Sequence, residues 1–139
     1  MTSDPVTAEK LLRESLTKDI FYGPAHNNLG VLFLKQEKLY EAAGEFEWAR
    51  KLMPGHPDPR VNLAITLERA GRTDEALSTY AAALEVYTDY LPAIEGLASL
   101  TARTRKRDER IGAWLREIRM RESSPAWRGW ADTLLARDR

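Results

Sequence analysis

Residues 23–57, GPAHNNLGVLFLKQEKLYEAAGEFEWARKLMPGHP, decide the fold, because the stretch that follows repeats them. Sliding the chain along itself until Asn28-Leu29 meets Asn62-Leu63 also lays Val31 on Ile65. The same shift puts Lys35 on Arg69, Glu41-Ala42 on Glu75-Ala76, Phe46 on Tyr80 and Ala49 on Ala83, without a gap. Several matches in one frame, at a period between 20 and 50 residues, mark an array of stacked supersecondary units.

Helix geometry gives these positions their meaning. Leu29, Leu32, Phe33 and Gln36 share one face at spacings of three and four, and Ala42, Phe46, Ala49 and Leu52 form the stripe of a second helix. Small residues at Gly30 (Ala64 in the next unit) and Ala42 (Ala76) let two helices approach closely, and Phe46 or Tyr80 fills the gap beyond. Pro54 and Gly55 stop the second helix, and Pro57-Asp58-Pro59 opens the next unit.

The pattern resembles the tetratricopeptide repeat. The resemblance rests on Asn28-Leu29-Gly30, Lys35-Gln36, Ala42, Phe46, Ala49 and Pro54, then on Asn62-Leu63-Ala64, Gly71, Asp74-Glu75-Ala76, Tyr80 and Ala83. It covers residues 23–56 and 57–90 best. A degenerate third unit, 91–122, keeps Leu97-Ala98 and places Trp114 at the large-residue position, but has Arg110 where a small alanine is wanted and Arg105 in place of the turn glycine. Ala8 and Leu12 stand one full period before Ala42 and Phe46, so a leading helix is expected over 5–20. Ser124 as N-cap and Pro125 in the first helical position predict a C-terminal capping helix over 124–138, burying Trp127, Trp130, Leu134 and Leu135 on the last hairpin. The expected fold is all-α, a right-handed superhelical stack of antiparallel helix hairpins with eight helices.

Composition sets the outer bounds. The 139 residues are 43% hydrophobic and 30% charged, the balance of a folded domain rather than a disordered chain. No run approaches the roughly 20 apolar residues of a bilayer span. The opening MTSDPVTAEKLL has no apolar core of a signal peptide, which points to the cytoplasm. Cysteine is absent, which removes thiolate nucleophiles, disulfides and cysteine-held zinc.

The reading of the residues is against an enzyme and against a cofactor. His26 and His56 are the only histidines, without the converging carboxylates of a metal or catalytic centre. No glycine-rich phosphate loop occurs, and Glu41, Glu45 and Glu47 read as a solvated helix surface. Net charge is zero but uneven: residues 1–102 carry a balance of −5 and residues 103–139 a balance of +5. The basic segment could bring in a second copy of the chain, or touch nucleic acid, although Asp108, Glu109 and Glu117 interrupt it.

The resemblance implies a protein-binding module whose first helices line a concave groove holding an extended or helical segment of a partner. The positions facing that groove fall on Asn27, Val31, Leu34 and Lys35, then on Val61, Asn62, Ile65, Glu68 and Arg69, then on Glu95, Ser99 and Arg103. Val31, Leu34, Val61 and Ile65 make an expected apolar strip. Lys35, Arg69 and Arg103, spaced by 34, make a basic ladder suited to carboxylates; the alternative is a row of cations that simply stays solvated. A partner segment with acidic and apolar residues follows. Some relatives clamp the carboxylate tail of chaperones, but of the matching positions Asn27, Val31, Asn62, Pro92 and Gly96 only Asn62 agrees, which speaks against that ligand.

Overall fold

The computed structural model describes residues 4–121 and 124–137, and these form eight α-helices. The helices are α1 (Pro5–Lys18), α2 (Gly23–Lys35), α3 (Leu39–Leu52), α4 (Asp58–Arg69), α5 (Thr73–Val86), α6 (Leu91–Arg103), α7 (Ile111–Arg121) and α8 (Pro125–Arg137). Each helix packs on the next, and the hairpins α2/α3, α4/α5 and α6/α7 stack in a right-handed solenoid. The leading helix ends at Lys18, two residues short of expectation; its Asp4 cap accepts from the Val6 N–H and Pro5 opens its first turn. Residues 122 and 138, the expected ends of the third unit and of the capping helix, lie outside the described residues.

Small-against-large packing holds the first hairpin closed. Ala42, Phe46 and Ala49 are fully buried, and a Cβ on Gly30 would stand 2.5 Å from Phe46 Cε1. Tyr80 does the same across units: its ring lies against Gly96 of α6. One apolar cluster contains Leu29, Phe33, Leu34, Phe46 and Leu63; a second runs from Val61 through Tyr80, Leu97 and Trp114 to Ala131. Ile65 and Leu67 pack against both.

The frame is kept by the turn after each first helix. Glu37, Gly71 and Arg105, spaced by 34, have φ of 57°, 80° and 55°. The next residue closes each turn: Lys38 N–H donates to Phe33, Arg72 to Leu67 and Lys106 to Thr101, at 2.9, 2.9 and 3.3 Å. This is the left-handed C-terminal motif that satisfies the last carbonyls of a helix. It is built twice without glycine.

The third hairpin then departs from the sequence frame. The second helix begins directly after the turn in the first two units, at Leu39 and Thr73, but α7 begins only at Ile111. Residues 107–110 are four extra. Arg110 therefore never enters the interface where an alanine was wanted; its carbonyl accepts the first helical bond, from Trp114 N–H at 3.0 Å, as Lys38 does for Ala42 and Arg72 for Ala76. Trp114 thus stands at the register of the small residue, not of the large one, and Ile118 takes the place of Phe46 and Tyr80. Both are buried, and the Arg110 guanidinium covers the Trp114 ring at 4.9 Å.

The first helices nevertheless stay in frame. Leu29, Leu63, Leu97 and Ala131 are spaced by 34 and all buried, so α8 is the fourth first helix of the array.

Candidate functional site

The inner face is built by α2, α4 and α6, which touch in succession. Side chains one unit apart meet there at an offset of 35. Asn62 Nδ2 donates to Asn27 Oδ1 at 3.1 Å, Arg69 Nη1 donates to the Leu34 carbonyl at 3.4 Å, and Arg103 Nη2 pairs with Glu68 Oε2 at 2.9 Å. These contacts stitch neighbouring hairpins along the trough.

The expected groove residues divide into three groups. Asn27, Val31, Asn62, Ile65, Glu95 and Ser99 are half-buried on the inner helices, and Lys35, Arg69 and Arg103 are exposed. Leu34 and Val61, expected on an exposed strip, are instead 8% and 5% exposed. The reason is the seam between units: Leu34 packs in one cluster with Leu63 of the next hairpin, and Val61 packs with Ile94 and Leu97 of the one after. Only Val31 and Ile65 of that strip keep surface. Glu68 is also committed internally, since it accepts from Tyr80 Oη at 3.2 Å as well as pairing with Arg103. Burial, reinforced by the Glu68 carboxylate, pushes the Tyr80 phenol well above its ordinary value.

The cations of the expected ladder are all exposed, and two of the three are paired. Arg69 pairs with Glu37 at 3.3 Å and Arg103 with Glu68, whereas Lys35 has no ion pair among the described residues. The same frame holds a fourth cation that the reading of three units missed. Arg137 on α8 stands one full period beyond Arg103, is exposed, and has no ion pair among the described residues. One more step of the same shift would have found it.

Near the C-terminal end, Ser99 of α6 and Ala126, Trp127 and Trp130 of α8 line a shallow recess. The two indoles meet edge to face at 5.4 Å and are half-buried. On the outer side, Trp48 stacks on His26 with ring centroids 5.2 Å apart. His26 is buried, with Nδ1 2.7 Å from Glu45 Oε2 and Nε2 2.7 Å from the Ile20 carbonyl. Two oxygens face its two nitrogens, which ties the residue into the packing of α2 on α3. His56 is exposed, 3.9 Å from Asp58. Among the described residues no three His, Cys, Asp or Glu side chains cluster as a metal site, and no helix is long and apolar enough to cross a membrane.

Residues 33–101 match the family model of the tetratricopeptide repeat. No curated protein matches the sequence. Among solved structures, MamA superposes with a TM-score of 0.73 at 18% identity over 81% of this chain and 66% of its own. A second MamA structure gives 0.71 at 18% identity, over 81% and 61% of the two chains. An O-GlcNAc transferase variant from Thermobaculum terrenum gives 0.69 at 22% identity, over 85% of this chain and 28% of its own. The chain thus spans less than two thirds of each of these proteins, and at such identities the likeness is one of fold. With the repeating frame, the paired helices and the matched segment together, the chain belongs to the tetratricopeptide-repeat family.

Proposed function

We propose that this chain is a non-catalytic protein-binding module that holds an extended or helical segment of a partner along its inner trough. What supports the reading is the pairing of half-buried apolar positions with exposed cations in one repeating frame. Val31, Ile65 and Ser99 on the inner helices are half-buried, and the exposed cations Lys35, Arg69, Arg103 and Arg137 recur every 34 residues. Apolar floor beside cationic edge suits a partner segment that mixes apolar and acidic residues. Exposed charges of this kind orient and attract such a segment more than they hold it. Arg69 remains available, since its bond to Glu37 is an exposed pair worth about 0–1 kcal/mol, which an incoming carboxylate replaces at little cost. Backbone from the partner would meet the Asn27–Asn62 pair, whose amides offer both donors and acceptors.

The test is a peptide array of mixed acidic and apolar segments probed with native protein and with the Lys35→Glu/Arg69→Glu variant, both checked for native helicity. Native capture lost in the variant supports the trough; unchanged capture overturns it.

The charge balance of −5 over residues 1–102 and +5 over residues 103–139 favours a second reading, a scaffold that assembles with its own copies through the basic segment. Sedimentation decides it: a salt-sensitive oligomer supports self-assembly, and a monomer at every accessible concentration removes it.

A further inference from the structure

The first three inner helices touch in order, α2 to α4 and α4 to α6, but among the described residues α6 and α8 nowhere come within 8 Å, Cα to Cα. The trough opens there. The third hairpin, which lies between them, differs from the other two: Trp114 stands at the register that Ala42 and Ala76 fill, and α7 starts four residues late.

What lines the opening has a definite chemistry. Trp127, Trp130, Leu134 and Arg137 follow one another at spacings of three, four and three, so they form one stripe of α8. Trp127 and Trp130 face Ser99; Leu134 and Arg137 share a second recess with Ala102, Leu115 and the inserted turn. In that turn Lys106 is tied to Asp74, and Asp108 to Arg110. Arg107 and Arg137 have no ion pair among the described residues, and Glu109 is the one carboxylate there not tied to a cation in the described structure. The opening is aromatic at one end and net cationic at the other.

We infer that the gap between α6 and α8 is the anchor site of the partner segment: an apolar side chain inserts against Trp127 and Trp130, and carboxylates farther along pair with Arg137 and Arg107. This rests on the trough reading and adds to it where the segment is gripped, and in what order. Aromatic side chains around a recess are the residue type that dominates binding energy in interfaces. The geometry also sets a spacing. Trp130 and Arg137 are seven helical residues apart, roughly 10 Å along α8 at about 1.5 Å per residue. An extended ligand covers that length in about three residues, so the acidic group falls three positions from the apolar anchor.

The probe is a labelled peptide with one phenylalanine and glutamates beginning three residues beyond it, measured by anisotropy against full-length protein. The expected result is binding that falls about tenfold or more in Trp130→Ala and in Arg137→Glu, and likewise when the phenylalanine becomes alanine or the glutamates become lysines. Arg137 is exposed, so its variant keeps the fold even where loss of an indole disturbs α8. Binding that depends on Lys35 and Arg69 but ignores both α8 variants overturns the anchor site and leaves the trough standing. Binding insensitive to all four positions, or none to native protein, overturns both. A dimer that Trp130→Ala dissolves, and that excludes the peptide, also overturns the inference, since a second copy would then be the occupant.

Discussion

The bare Cα of Gly30 carries the Phe46 ring so closely that an added Cβ would stand 2.5 Å from Cε1. Gly44, on the neighbouring helix α3, has open space where its Cβ would be. The two glycines therefore predict opposite responses to the same substitution. Gly30→Ala forces the buried ring to move; overpacking of this kind costs about 1–3 kcal/mol, of which helix propensity returns about 1. Gly44→Ala meets nothing and should gain roughly 0.5–1 kcal/mol. Urea melts of the two variants check both signs, and Phe46→Leu should relieve the first.

The left-handed turn positions predict a second pair. Gly71 sits at φ 80°, so Gly71→Ala should lose about 1 kcal/mol. Arg105 occupies the equivalent position at φ 55°, and its side chain makes no ion pair or hydrogen bond among the described residues. Arg105→Gly should raise stability by several tenths of a kcal/mol up to about 1, less whatever freedom glycine adds to the unfolded chain. A lower melting temperature in Arg105→Gly would show that the turn is not strained.

Tyr80 makes stability depend on alkaline pH. Burial first, and the Glu68 carboxylate second, raise its phenol above the ordinary 10.0. In the unfolded chain the phenol releases its proton near that ordinary value, while the folded protein retains it. The unfolded state therefore binds fewer protons above about pH 10, and stability falls as pH rises through that range. Tyr80→Phe should flatten this loss, measured as the denaturation midpoint at successive pH values.

Capture of an acidic segment should weaken as salt is added. The edge cations are exposed, and at about 0.15 M ionic strength the screening length is about 8 Å. Association rates should fall more than dissociation rates rise, because rim charges act mainly on encounter. Stopped-flow mixing at several ionic strengths checks this.

Much of the fold was legible because its determinants are periodic. Ala42, Phe46 and Ala49 announce a helix stripe in any context, and their copies Ala76, Tyr80 and Ala83 fix the length of the unit. The third hairpin was harder, because KRDER at 106–110 carries no glycine or proline to mark where the turn ends and the helix begins. Sequence offset alone then put Trp114 one helical turn away from its register. Lys35, Arg69 and Arg103 were legible as cations in one frame, but their partners were not. Glu37 and Glu68 reach Arg69 and Arg103 from the preceding unit, across separations set by stacking rather than by any local pattern. Leu34 and Val61 were misplaced for a related reason. A single helix shows which face is apolar, and only the neighbouring hairpin decides how far around that face it reaches.

Ile65 and Leu67 touch both apolar clusters, so α4 is the rivet that joins two otherwise separate cores. Ile65 also keeps surface in the trough. A segment seated there leans on the rivet itself, so occupancy should tighten the joint between the two halves and make the whole rod stiffer than either empty half.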